Sequence, residues 1–171
     1  MFKIAGLLGL IAGTGLIGVM KAADLKERII LLEDYLQMLL DIKGHINYFR
    51  EPLLKIHTDR RENRSSEAFE LFDKVRHELS QKDAEISQIW AQNVNLTYRN
   101  TSLLQEDLEL FIYPGSFIGQ TDYENQLARF EYLEKRLTEQ IEKAREGYLQ
   151  KGPLYRKLGF FAGGLGAIIF I

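Results

Sequence analysis

The side chains able to do chemistry are few in this chain, and they are scattered. The three histidines, His45, His57 and His77, fall on separate segments, with no H-E-x-x-H or comparable ligand spacing. Cysteine is absent, which removes thiolate zinc sites, cysteine nucleophiles and disulfide scaffolds together. Gly115 to Gly119 reads G-x-x-x-G but lacks the lysine and the serine or threonine of a phosphate-cradling loop. No G-x-S-x-G elbow occurs. Glu131, Glu134, Glu139 and Glu142 alternate with Lys135, Arg136 and Lys143, the pattern of a solvated helix face with i,i+4 pairs. They do not isolate a pair of carboxylates for acid–base work. These residues predict no enzyme, no metal site, no cofactor and no small-molecule substrate. A net charge of −2 provides no broad basic field, so nucleic acid is not an expected partner.

With no chemistry to position, the elements themselves carry the reading, and the apolar residues concentrate at the two ends. From Ile4 to Met20 seventeen residues pass without a charge. As a helix they span roughly 25 Å, slightly short of a hydrocarbon core about 30 Å thick. No small-residue cleavage site closes the run, so it is expected to be a membrane helix and not a cleaved leader. Leu158 to Ile171, fourteen residues, is expected to form a second, short membrane helix, with Arg156 and Lys157 placed to reach lipid headgroups. Small residues recur four apart in both runs, Ala5, Gly9 and Gly13 in one and Gly159, Gly163 and Ala167 in the other. Such ladders let helices approach closely in lipid, so Gly9, Gly13, Gly159 and Gly163 are candidate helix-packing residues. Lys21, Lys26 and Arg28 follow the first run and Lys151, Arg156 and Lys157 precede the second. That excess of positive charge places the middle of the chain in the cytosol.

The middle reads as helices throughout. Leu25, Ile29, Leu32, Leu36, Leu39 and Ile46 form one apolar stripe on a long helix ending near Pro52. After a charged turn, Asp59 to Arg64, a short helix carries Ala68, Phe72, Val75 and Leu79. A third, from about Asp83, carries Ile86, Ile89, Trp90 and Val94, and a fourth carries Leu104, Leu108 and Phe111. Ser102 and Gln105 have the spacing of a capping box for the fourth, and Thr121 and Glu124 for the last long helix. That helix has a stripe of Leu127, Phe130, Leu133, Leu137, Ile141, Ala144 and Tyr148. No segment alternates with period two, so no sheet is predicted. The expected fold is all-α: a membrane-anchored helical bundle whose two long amphipathic helices continue from terminal membrane helices. The expected divisions are 1–21, 22–157 and 158–171.

The connection from Gly115 to Asp122 is the best candidate docking surface. The structural reading is favoured over docking for most of it: Gly115 and Gly119 turn the chain and Asp122 or Thr121 caps the next helix, which explains every residue there except Gln126. Gln126 lies one turn inside that helix, beyond the amides that a cap serves, and is expected to be free for a partner.

The stretch from Pro114 to Gln126 resembles the recurring pattern of the stage III sporulation protein AB family of endospore-forming bacteria, L-G-x-x-L-G-x-x-D-x-x-x-Q. Gly115, Gly119, Asp122 and Gln126 match it, whereas Pro114 and Ile118 stand where leucines are usual. Gly6, Gly18, Arg28, Pro52-Leu53, Glu106-Asp107-Leu108, Tyr155, Leu158 and Gly159 extend the resemblance over nearly the whole chain. The resemblance implies a place in the outer forespore membrane, within a secretion-like channel complex joining mother cell and forespore. It further implies a bundle similar to the helical domain of the type II secretion platform protein. Such a platform would dock a cytoplasmic ATPase and other channel subunits, and Gly115, Gly119, Asp122 and Gln126 would then be partner-binding residues. The competing readings are a membrane-tethered adaptor or pilus platform outside sporulation, and a small membrane-permeabilising protein.

Overall fold

Two helices of more than forty residues dominate the computed structural model, which describes residues 2–49, 53–56, 66–81 and 84–169. The side chains of residues 2–5, 7, 8, 10, 11, 49, 54 and 167–169 fall outside that description, as do the charged turn at Asp59–Arg64 and the expected helix stop at Pro52. In chain order the helices are α1 (Phe2–Gly44), α2 (Glu67–Gln81), α3 (Ile86–Thr97), α4 (Gln105–Ile112) and α5 (Tyr123–Ile169). A π-helical turn, His45–Phe49, follows α1, and short 3-10 turns occupy Leu53–Lys55 and Tyr113–Ser116. The described residues contain no strand, so the all-α reading holds.

Contacts divide the chain into two units, residues 1–29 with 142–171 and residues 30–141, so α1 and α5 each contribute to both. In the first unit the α1 and α5 arms run antiparallel at close range. A Cβ added to Gly18 would fall 2.4 Å from the Tyr155 carbonyl oxygen and 3.2 Å from the Gly159 Cα. One added to Gly159 would fall 2.6 Å from the Thr14 carbonyl oxygen. Only residues without a side chain permit backbones that close. Ala22 is buried in the same unit, whereas Leu16, Ile17, Met20, Phe160, Phe161 and Leu165 are exposed. Pro153 lies inside α5, where it has no N–H for the carbonyl of Leu149 and so removes one rung of the ladder. Among the described residues no helix is long and apolar enough to cross a membrane. Several residues of both apolar runs, Ile4–Met20 and Leu158–Ile171, lie outside that set.

The second unit is built on aromatic packing. Tyr35 of α1 stacks on Phe111 of α4, ring centroids 3.7 Å apart and planes 8° from parallel. Tyr98 meets Phe111 edge-on at 5.0 Å, and Phe72 of α2 meets Trp90 of α3 at 6.3 Å. The carbonyl of Phe111 belongs to the last turn of α4, which has no intrahelical partners of its own to offer. It accepts hydrogen bonds from Tyr35 Oη at 2.5 Å and Trp90 Nε1 at 2.8 Å. Burial raises the pKa of Tyr35 well above its ordinary value, so the phenol stays a donor. Burial does the same to Tyr98, reinforced by the carboxylates of Glu67 and Asp34.

The buried face of α1 in this unit is Leu31, Leu32, Tyr35, Met38, Leu39 and Ile42. Leu32 and Leu39 are on the stripe expected from sequence, and Tyr35 is not. α5 buries Phe130, Leu133, Leu137 and Ile141 as its stripe requires. Lys43 Nζ pairs with Glu134 across the two long helices at 2.8 Å. α4 is not capped by Ser102 and Gln105: it starts at Gln105, and buried Asp107 accepts from the backbone N–H of Leu104 at 2.8 Å. The N-cap is Leu104 and not Ser102, and an acid at this position fixes the helix start from inside.

Candidate functional site

The sequence from Pro114 to Gln126 folds into a closed turn between α4 and α5. Pro114 enters a 3-10 turn as its second residue, where its fixed φ suits a tight helical start. The Pro114 carbonyl then accepts from the N–H groups of both Phe117 (3.1 Å) and Ile118 (3.0 Å). Phe117 and Ile118 are fully buried, and the Phe117 ring stands perpendicular to Phe130 of α5 at 5.0 Å. These two side chains pin the turn to the core.

Each residue of the expected docking set has a local task. Gly115 is buried, and a Cβ there would sit 2.7 Å from Trp90 Cβ and 3.3 Å from the Ser87 Cα, so the turn can press against α3 only without a side chain. Its carbonyl accepts from Gln120 Nε2 at 3.0 Å. Gly119 has φ +72°, in the left-handed region that glycine enters without strain. Asp122 is the N-cap of α5: its Oδ1 accepts from the Asn125 N–H at 3.0 Å and its Oδ2 from Asn125 Nδ2 at 2.5 Å. Those bonds hold its carboxyl below the usual carboxylate range. The cap is Asp122 and not the expected Thr121–Glu124 box; Thr121 instead donates its hydroxyl back to the Phe117 carbonyl at 3.3 Å.

Gln126 overturns the expectation that it has no structural work. Its side chain is only 8% exposed, and Oε1 accepts from the Gly119 N–H at 3.2 Å. The backbone of the left-handed glycine is thereby held from α5. Helix-cap geometry accounts only for the amides of the same helix, whereas the donor that Gln126 serves lies seven residues earlier, in the turn. Of the four residues, Gly119 and Asp122 reach the surface, while Gly115 and Gln126 are inside it. The exposed rim adds Ser116, Gln120 and Tyr123, and the Tyr123 hydroxyl donates to Asn47 Oδ1 in the π-helical turn.

The candidate helix-packing residues also separate. Gly159 makes the close approach described above, and Gly163 is buried. Gly9 and Gly13 are exposed, and an added Cβ at either meets nothing within 4 Å. The α1 face in contact with α5 carries Thr14, Gly15 and Gly18. Among the described residues no group of three or more histidine, aspartate or glutamate side chains is placed to hold a metal ion.

No curated protein and no solved structure matches this chain. The sequence model of the family described as stage III sporulation protein AB matches residues 3–171, and all four pattern residues of that stretch now have a place in one turn. This chain belongs to the stage III sporulation protein AB family.

Proposed function

We propose that this sporulation protein is a non-enzymatic membrane platform in the channel complex between mother cell and forespore. In this reading it lies in the outer forespore membrane, its bundle faces the mother-cell cytoplasm, and it docks a cytoplasmic ATPase and other channel subunits. The observation that carries the proposal is the division of labour between the two units. One is an aromatic-cored bundle in which Trp90 and Tyr35 donate to the Phe111 carbonyl. The other is a pair of closely apposed helices that leave Leu16, Ile17, Met20, Phe160, Phe161 and Leu165 exposed. Large apolar side chains concentrated on one unit need lipid or another protein to cover them. The uncharged runs Ile4–Met20 and Leu158–Ile171 support lipid, and Lys21, Lys26 and Arg28 after the first, against Lys3 alone before it, with Lys151, Arg156 and Lys157 before the second, support the stated orientation.

For docking, the rim of Ser116, Gly119, Gln120, Asp122 and Tyr123 is the accessible part of the turn. The test is capture of the tagged full chain, expressed from its own locus, out of detergent-solubilised membranes of sporulating cells. The expected result is recovery from the membrane fraction together with the stage III ATPase and further stage III subunits. Recovery from the soluble fraction, or from membranes with none of those subunits, would sink the proposal.

A further inference from the structure

Within the first unit, one face of α5 carries an apolar groove of about 490 Å³ lined by Lys157, Phe160, Phe161, Gly164 and Leu165. Gly164 forms its floor, and an added Cβ there meets nothing within 4 Å, so the space above it is open. Phe160, Phe161 and Leu165 rise around the floor and are 55%, 68% and 63% exposed. Among the described residues of the lining, Lys157 is the one polar side chain. It stands seven residues before Gly164, about 10 Å away along the helix.

Charge narrows the occupant. From Gly147 to Ile171 there is no acidic residue, so the charge of Lys151, Arg156 and Lys157 is concentrated along that stretch. On the α1 arm, by contrast, Lys21 pairs with Asp24. An apolar trough with a cation at one end suits a molecule that is a hydrocarbon chain with an anion at its head. A lysine stem lying along apolar surface with its ammonium at the headgroup level is the ordinary behaviour of this side chain in lipid. We propose that this groove binds one acyl chain of an anionic phospholipid and that Lys157 holds its phosphate. The inference rests on the membrane reading above and adds headgroup selectivity to it. A partner's helix could fill the same trough, but nothing in its apolar face would call for the cation.

The experiment uses the full chain in phosphatidylcholine vesicles doped with a diazirine-bearing lipid, either phosphatidylglycerol or phosphatidylcholine, followed by irradiation and peptide mapping. The expected result is labelling of Phe160–Leu165 by the phosphatidylglycerol probe about fivefold above the phosphatidylcholine probe, the factor one surface lysine supplies. Lys157→Gln should abolish that preference and leave flotation with the vesicles intact, while Gly164→Phe should abolish labelling of this face by either probe. Equal labelling by both probes, or a preference that survives Lys157→Gln, overturns the proposal. Flotation without labelling of this face means that a protein helix covers it, and overturns the lipid assignment alone. Failure to float at all overturns the membrane reading and this inference with it.

Discussion

Truncating Gln126 to alanine tests whether the family pattern is a folding device. The side chain is 8% exposed and its Oε1 accepts from the Gly119 N–H at 3.2 Å. Removing that bond costs about 1 kcal/mol net. Gly119 itself is exposed, so its N–H can turn to water, which keeps this part at the low end. Withdrawing the largely buried stem adds about 0.8 kcal/mol for each methylene fully taken out of contact. The sum is about 1–2.5 kcal/mol, or about 2–10 °C in melting temperature for a chain of this length. Trp90 is the only tryptophan and sits against Gly115, so its fluorescence reports the unfolding of the second unit by itself. Gln126→Met keeps the volume and removes the acceptor, and should show the hydrogen-bond share alone. If Gln126→Ala melts with the wild type and yet loses capture of its partners, the side chain serves a partner and the reasoning fails.

Three further outcomes follow from the same geometry. Gly115→Ala should cost about 1–3 kcal/mol by overpacking against Trp90, and a melt of this variant followed by Trp90 fluorescence at or above the wild-type temperature would mean that α3 yields freely. Gly159→Leu should separate the α1 and α5 arms and abolish bis-maleimide crosslinking between Gly15→Cys and Phe160→Cys, whereas Gly13→Leu should leave the yield unchanged. Because the folded pKa of Asp122 is depressed, its contribution is fully present above the unfolded value of about 3.9 and is lost as pH falls through the folded value. Asp122→Asn, which caps without titrating, should therefore flatten part of the acid dependence of the Trp90 melt; an unchanged acid limb would show that Asp122 contributes nothing to it.

The helices were legible because their burial follows period 3.6. Phe72 and Val75 on α2, Trp90 and Val94 on α3, and Phe130, Leu133 and Leu137 on α5 are all buried where their stripes put them. What escaped the pattern is polar and reaches across the chain. Tyr35 carries a hydroxyl and so counts poorly as apolar, yet it is the residue that α4 stacks on, and its partner carbonyl lies seventy-six residues away. Asp107 reads as a surface acid of a short helix but is buried, serving the N–H of Leu104. The α1 packing face was displaced by one residue from the Gly9–Gly13 ladder to Gly18, because four-residue spacing recurs on more than one face of so glycine-rich a helix and does not say which face meets the partner.

The turn between α4 and α5 changes what its pattern can be used for. A glycine that must lie on Trp90, a glycine that must take φ +72°, an aspartate that caps α5 and a glutamine that returns to the second glycine are consecutive steps of one chain reversal. Each is required whether or not anything docks there, since an open turn would release Phe117 and Ile118 from the core. The pattern is therefore accounted for by the fold, whether or not the turn is also a docking face. A docking face built on this turn must use side chains that the reversal leaves exposed. Ser116 is already engaged, donating to the Tyr113 carbonyl at 2.8 Å, and Gln120 holds the Gly115 carbonyl. The Tyr123 hydroxyl is bound to Asn47, and its ring is 38% exposed and lies beside the π-helical turn that presents Tyr48, 81% exposed. Exposed tyrosines supply rigid contact area at low entropic cost. Partner capture should thus be more sensitive to Tyr48→Ala and Tyr123→Ala than to any of the four pattern residues once each variant's loss of stability is subtracted. Equal sensitivity would return the docking face to the glycine turn itself.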